Sequence, residues 1–104
     1  MKAKTMQQLE ISRVWTVNTF HISGDDAKIL SQIAELVVLE YREGFWVTVP
    51  DAEEIDAKFT DRLCEAGLSP AVGHILSVAS GQAVEFVRID ADGPIYSFLP
   101  QFHW

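Results

Sequence analysis

The chain predicts an α+β domain of two layers, an antiparallel or mixed sheet of four to five strands with helices on one face, in the order β-α-β-β-α-α-β-β. Three observations carry that reading. Runs of β-branched and aromatic residues flank the short turn Arg42-Glu43-Gly44, acid-bearing capping patterns open two apolar-periodic stretches, and Val84 to Ile89 is almost continuously apolar. Hairpins interleaved with helices differ from the regular strand-helix alternation of a parallel α/β sheet.

Each element has a local cause. Ile11 to Phe20 mixes Val14, Trp15, Thr16, Val17 and Thr19 in rough alternation and reads as the first strand. Ser23 with Asp26 three residues on opens a helix whose Ile29, Leu30, Ile33, Leu36 and Val37 share one face, ending near Glu35. Val37 to Tyr41 and Phe45 to Val49 pair as a hairpin, which Pro50 closes. Asp51 and Glu54 repeat the capping spacing ahead of a helix with Ile55, Phe59, Leu63 and Ala66 on one side, and Gly67 stands where a helix stops. Ser69-Pro70 starts the next helix, with Val72, Ile75, Leu76 and Ala79 inward and Gly81 at its end. Val84 to Ile89 suits a central strand, and Pro94 to Phe98 a short return strand across Asp90-Ala91-Asp92-Gly93. The aromatic tail, Tyr96 to Trp104, is expected to fold back on the domain, held by a rigid turn at Asp90 to Pro94.

Composition narrows the function. A chain of 104 residues, 48% apolar, fits a single globular domain that buries roughly two thirds of its unfolded surface. One cysteine, Cys64, excludes an internal disulfide and a cysteine zinc cage, and fits a reducing cytoplasm; its expected place is the core. Met1 to Glu10 carry no apolar stretch of the kind a secretory signal needs, and this leading segment is expected to be flexible. No run is long enough to span a bilayer. Fifteen acidic against eight basic side chains leave a net charge of -7, which repels phosphate backbones and anionic lipids within a Debye length of about 8 Å. Direct nucleic-acid and membrane binding are therefore disfavoured, and a basic protein surface is favoured.

Most chemistries fail on spacing. Phe86 to Gly93 superficially resembles the nucleophile motif of haloacid-dehalogenase-type phosphatases, but Gly93 to Trp104 leaves no room for the downstream helices and further acidic strand that chemistry requires. As a calcium loop counted from Asp90, position five is Pro94 and position twelve Gln101, neither a proper ligand. His21, His74 and His103 form no zinc-type pair; His21 is expected to bond to nearby backbone. No phosphate-cradling glycine loop is present, and no cofactor or metal is expected. The densest charge feature is Asp51, Glu53, Glu54, Asp56, Asp61 and Glu65, interrupted by Lys58 and Arg62. Its plainer reading is a solvated helix face; its functional reading is a surface aimed at a Lys/Arg-rich groove, with Trp46 as an aromatic anchor.

Thr19-Phe20-His21-Ile22-Ser23, Tyr41-Arg42-Glu43-Gly44-Phe45-Trp46-Val47-Thr48-Val49-Pro50 and Ile89-Asp90-Ala91-Asp92-Gly93-Pro94 with Leu99 to Trp104 together resemble an uncharacterised family. Its members are small soluble proteins carried on bacterial plasmids and other mobile elements. The resemblance implies no enzymatic residue. It implies a context in which small acidic proteins inhibit host defence, so the expectation is a non-enzymatic anti-defence protein, an anti-CRISPR or anti-restriction inhibitor occluding a basic protein or nucleoprotein complex. The rival expectations are a small enzyme or ligand-binding domain using His21, Asp90 and Asp92, and a self-associating accessory protein whose tail completes a homodimer.

Overall fold

The computed structural model describes residues 9–104. Residues 1–8, most of the leading segment expected to be flexible, lie outside the described residues. Four strands, β1 (Val14–Asn18), β2 (Val38–Tyr41), β3 (Gly44–Thr48) and β4 (Phe86–Asp90), form one mixed sheet in the order β1-β4-β3-β2. Three helices, α1 (Gly24–Ile29), α2 (Phe59–Glu65) and α3 (Pro70–Gly81), complete the α+β fold. β4 runs parallel to β1 and antiparallel to β3, and so occupies the central position its apolar character predicts.

The period of two along each strand divides the sheet into a covered and an open face. Val17, Phe45, Val47, Val87 and Ile89 are buried in one core with Phe59 and Leu63 of α2 and Val72, Ile75, Leu76 and Ala79 of α3. Burying each large side chain of this set contributes about 1.5–3 kcal/mol. The alternate residues Thr16, Leu39, Trp46, Phe86 and Arg88 fall on the other face of the sheet.

The helices depart from the sequence reading where side chains compete for the backbone. At α1 the expected capping box is present: Asp26 N–H donates to Ser23 Oγ at 3.0 Å, and Ser23 N–H to Asp26 Oδ2 at 2.9 Å. The helix stops at Ile29 rather than near Glu35, because a turn closes with Gln32 N–H on Ile29 O and the Gln32 amide on Lys28 O. Leu30 and Leu36 still reach the core from that turn. The helix expected from Asp51 is split into a 3-10 turn, Ala52–Glu54, and α2, and Asp51 makes no capping bond. Asp56 is the breaker: its carboxylate accepts Lys58 N–H at 3.0 Å, an alternative to helical bonding. Gly67, at φ +109°, follows α2 as the expected stop. Cys64 is exposed, not in the core, because one residue beyond buried Leu63 the helix has turned about 100° away from the apolar stripe.

The expected return strand at Pro94 to Phe98 does not form. The tail instead runs irregularly along β1 and the turn after it, and several of its polar groups are met there. Asn18 N–H donates to Pro94 O at 3.0 Å, and the Asn18 amide to Ala91 O and Gly93 O. Phe102 N–H donates to Phe20 O at 2.6 Å, and the Trp104 indole to Ile22 O at 2.9 Å. Leu99 is buried, and Phe98 stacks on Trp15 with the ring planes 4° apart. The tail is thus folded back as expected, although Phe98 and Trp104 keep 59% and 54% of their surface exposed.

Gly44 is the first residue of β3, not part of the turn, and close approach explains it. A Cβ there would sit 1.7 Å from Ile89 O. Gly44→Ala is expected to cost on the order of 3 kcal/mol or more in urea unfolding, enough to unfold a marginally stable domain. Gly81→Ala, whose Cβ meets nothing within 4 Å, is expected to leave stability unchanged or slightly raised.

Candidate functional site

The residues with candidate chemistry are dispersed by the fold. His21 is fully buried in the 3-10 turn after β1. Its Nε2 accepts Tyr96 N–H at 2.9 Å, so Nε2 carries no proton, and Nδ1–H donates to Pro100 O at 2.7 Å. Both ring nitrogens are therefore spent on the backbone of the tail, far along the chain from the local partner expected near Ser23. Asp90 accepts the Tyr41 hydroxyl at 2.6 Å and Asp92 N–H at 2.8 Å, while Asp92 is exposed at the turn. No hydrogen bond joins His21 to either aspartate, and the three do not share an open pocket. Among the described residues, no group of three or more His, Cys, Asp or Glu side chains is placed to hold a metal ion.

The Tyr41–Asp90 pair links β2 to β4 across Gly44. Burial, reinforced by the Asp90 carboxylate, pushes the Tyr41 hydroxyl up to about 12. In turn the Tyr41 hydroxyl and the Asp92 amide hold the Asp90 carboxyl below its ordinary range. The role of this pair is structural, closing the hairpin against the central strand.

Acidic side chains do converge, at the end of the sheet where β3 finishes and β2 and β4 begin. Thr48 N–H donates to Val37 O at 3.0 Å and Val49 N–H to Glu85 O at 2.9 Å, so three chain segments are tied there. Glu35, Asp51 and Glu54 line one groove beside Pro50, of about 190 Å³. On the other side of Pro50, Asp51 and Glu85 line a wider groove of about 500 Å³ with Thr48, Ser80 and Phe86. Glu53 is exposed in the same 3-10 turn. Among the described residues the carboxylates of Glu35, Asp51, Glu53, Glu54 and Glu85 have no cationic nitrogen within 4 Å, although Arg62 shares a groove with Glu35 and Glu54. Asp56 differs, because Arg62 bonds to it at 3.1 Å and to Glu54 O at 2.7 Å; the Lys58 amide and that guanidinium hold the Asp56 carboxyl below its ordinary range. Asp61 and Glu65 are exposed on α2.

Trp46 does not join the acidic helix. It lies on the open sheet face, half-buried, 5.3 Å between ring centroids from Phe86 and opposite Leu39. Phe86, which lines the wider groove, connects it to the acidic end. Glu35 and Glu85 belong to the acidic end although the sequence reading passed over both. The first was hidden by a helix expected to continue to it, the second by its place between strand-like Val84 and Phe86.

Residues 14–104 match the C-terminal domain of DUF5983, a family of unknown function. The chain belongs to that family. The match begins at Val14, the first residue of β1, and takes in every strand and helix of the DUF5983 fold described above. The uncharacterised family expected from the motifs is thus a family of unknown function. No curated protein and no solved structure shows a significant match. No helix among the described residues of this DUF5983 domain is long and apolar enough to cross a membrane.

The Tyr41–Asp90 bond gives opposite signs at the two ends of the pH scale. What neutral Tyr41 contributes is present in full below the ordinary value of 10.0 and is lost as pH rises through about 12. What ionised Asp90 contributes is present above the ordinary carboxylate range and is lost as pH falls through its lowered value. In a Tyr96→Phe background, ultraviolet titration is expected to place Tyr41 near 12, and adding Asp90→Asn to move it part of the way back toward 10.0.

Proposed function

We propose that this chain is a non-enzymatic, acidic protein-binding inhibitor whose carboxylate end docks on a basic surface of a protein or nucleoprotein complex. In its most concrete form it is an anti-defence protein of a mobile element, an anti-CRISPR or anti-restriction inhibitor that occupies a nucleic-acid groove. The observation that carries this reading is the convergence of Glu35, Asp51, Glu53, Glu54 and Glu85 at one end of the sheet, where among the described residues none of their carboxylates forms an ion pair and Arg62 is the cation beside Glu35 and Glu54. Solvated carboxylates held on two grooves present to Lys/Arg side chains the same sign of charge as a phosphate backbone, and their attraction needs no reaction. The net charge of -7 steers the whole chain toward such a surface. Asp61 and Glu65 extend the acidic field along α2, while Asp56 is committed to Arg62.

The self-association reading has less support, since the tail's backbone and indole groups bond within its own chain. The reading that used His21, Asp90 and Asp92 has no shared pocket to work in.

The test is displacement of DNA from purified restriction and CRISPR effector complexes, followed by electrophoretic mobility. The wild-type chain is expected to release DNA from one such complex, with an effect that weakens as salt rises and the Debye length falls to about 3 Å near 1 M. The combined Glu35→Lys, Asp51→Lys, Glu53→Lys and Glu54→Lys variant is expected to release none. Displacement that survives this reversal would contradict occlusion by the acidic end.

A further inference from the structure

The two edges of the sheet are finished differently. At β1 the tail covers the upper part of the edge, through Asn18 N–H on Pro94 O and the Tyr96 hydroxyl on Thr16 O at 3.3 Å. β2 has no such cover. Val37 O accepts Thr48 N–H, and Arg42-Glu43 joins the pair Tyr41 and Gly44, so antiparallel alternation turns the backbone of Val37, Leu39 and Tyr41 toward β3. The N–H and C=O groups of Val38 and Glu40 therefore point outward, and among the described residues none of these four groups has a hydrogen-bond partner.

Natural edge strands are commonly protected by lysine, proline, a bulge or a covering segment. β2, Val38-Leu39-Glu40-Tyr41, has no lysine or proline; its protection is its four-residue length and the charge of Glu40, whose carboxylate accepts the Ser31 hydroxyl at 2.9 Å. Next to the free edge, Val37 is 72% and Leu39 67% exposed, and Leu39 continues across the open face to Trp46 and Phe86. The charge along the strand is acidic: Glu40 lies within it and Glu43 at the hairpin turn, where Arg42 lies 3.9 Å from Glu43. Self-pairing of two copies along this edge would bring both sets of carboxylates to one seam, which like-charge repulsion opposes.

We infer that β2 is a docking edge for an extended basic segment of a partner protein, which adds as a fifth strand. The partner's main chain bonds to Val38 and Glu40. Its alternate apolar side chains lie beside Leu39 on the open face, and the intervening Lys or Arg side chains fall on the helix side beside Glu40. This rests on the reading of a basic partner, and it supplies that partner's local conformation and a contact separate from the acidic end.

The probe is a short synthetic peptide alternating valine or threonine with lysine, compared with one carrying glutamate for lysine and one with prolines inserted. Amide hydrogen exchange and nitrogen-15 shifts of the full chain are the readouts. The lysine peptide is expected to bind and to slow exchange at Val38 and Glu40 by roughly tenfold, while the glutamate and proline peptides do neither. Glu40→Lys is expected to weaken the lysine peptide roughly tenfold, with the fold intact by circular dichroism. The reversal at Asp51, Glu53 and Glu54 is expected to leave protection of Val38 and Glu40 in place, so failure at the edge and failure at the acidic end are told apart. Lysine-peptide binding that leaves the Val38 and Glu40 amides unchanged would overturn the inference. So would absence of binding, or a dimer of the free chain that itself protects this edge.

Discussion

One buried imidazole holds the two ends of this fold together. His21 presents an acceptor to Tyr96 N–H and a donor to Pro100 O, in a setting with no exposed surface. A neutral ring with one protonated and one bare nitrogen can meet a backbone amide and a carbonyl at once. Either group left unmet in so dry a place costs about 1–3 kcal/mol. Fixing Tyr96 and Pro100 in turn places the Trp15, Tyr96 and Phe98 rings against one another and buries Leu99 beneath them. The cover on the β1 edge follows from this single junction.

A second buried polar group does the same for the helical layer. The Asp26 carboxylate, 1% exposed, accepts Ser23 N–H, Ser69 N–H and the Ser69 hydroxyl. A buried charge without partners would be strongly destabilising. Here three donors from two segments converge on it, so it pins the start of α1 to the start of α3. With the tail closed by His21 and the helices by Asp26, the strongest unmet features left on the described surface are the acidic end and the bare edge of β2. The functional account follows from that division between committed and uncommitted polar groups.

What was legible in the sequence was whatever local chemistry decides. The Ser23–Asp26 box, Pro70 at the first position of α3, the Gly67 stop and the hairpin on either side of Arg42-Glu43 all lie within a few residues of their cause. The central place of β4 showed in its continuous apolar run. What was not legible depends on partners distant in the chain. His21 bonds across 75 and 79 positions, and Asp26 reaches Ser69 across 43. The split before α2 was misread because Asp51-x-x-Glu54 imitates a capping box, whereas the stronger local competitor, Asp56 on Lys58 N–H, gives no periodic signal. The acidic set was found on α2 and the preceding turn, but its extension to Glu35 and Glu85 requires the strand ends that bring them there.

The central claim is that the tail is a closed part of the fold while the β2 edge is open to a partner. Native-state hydrogen exchange on the free protein tests both halves in one measurement. The account predicts that the amides of Asn18, Tyr96 and Phe102 exchange only with global unfolding, as slowly as the core amides of β4, while Val38 and Glu40 exchange near the rate of an unprotected chain. Fast exchange at Tyr96 and Phe102, with Val38 and Glu40 protected, would contradict it.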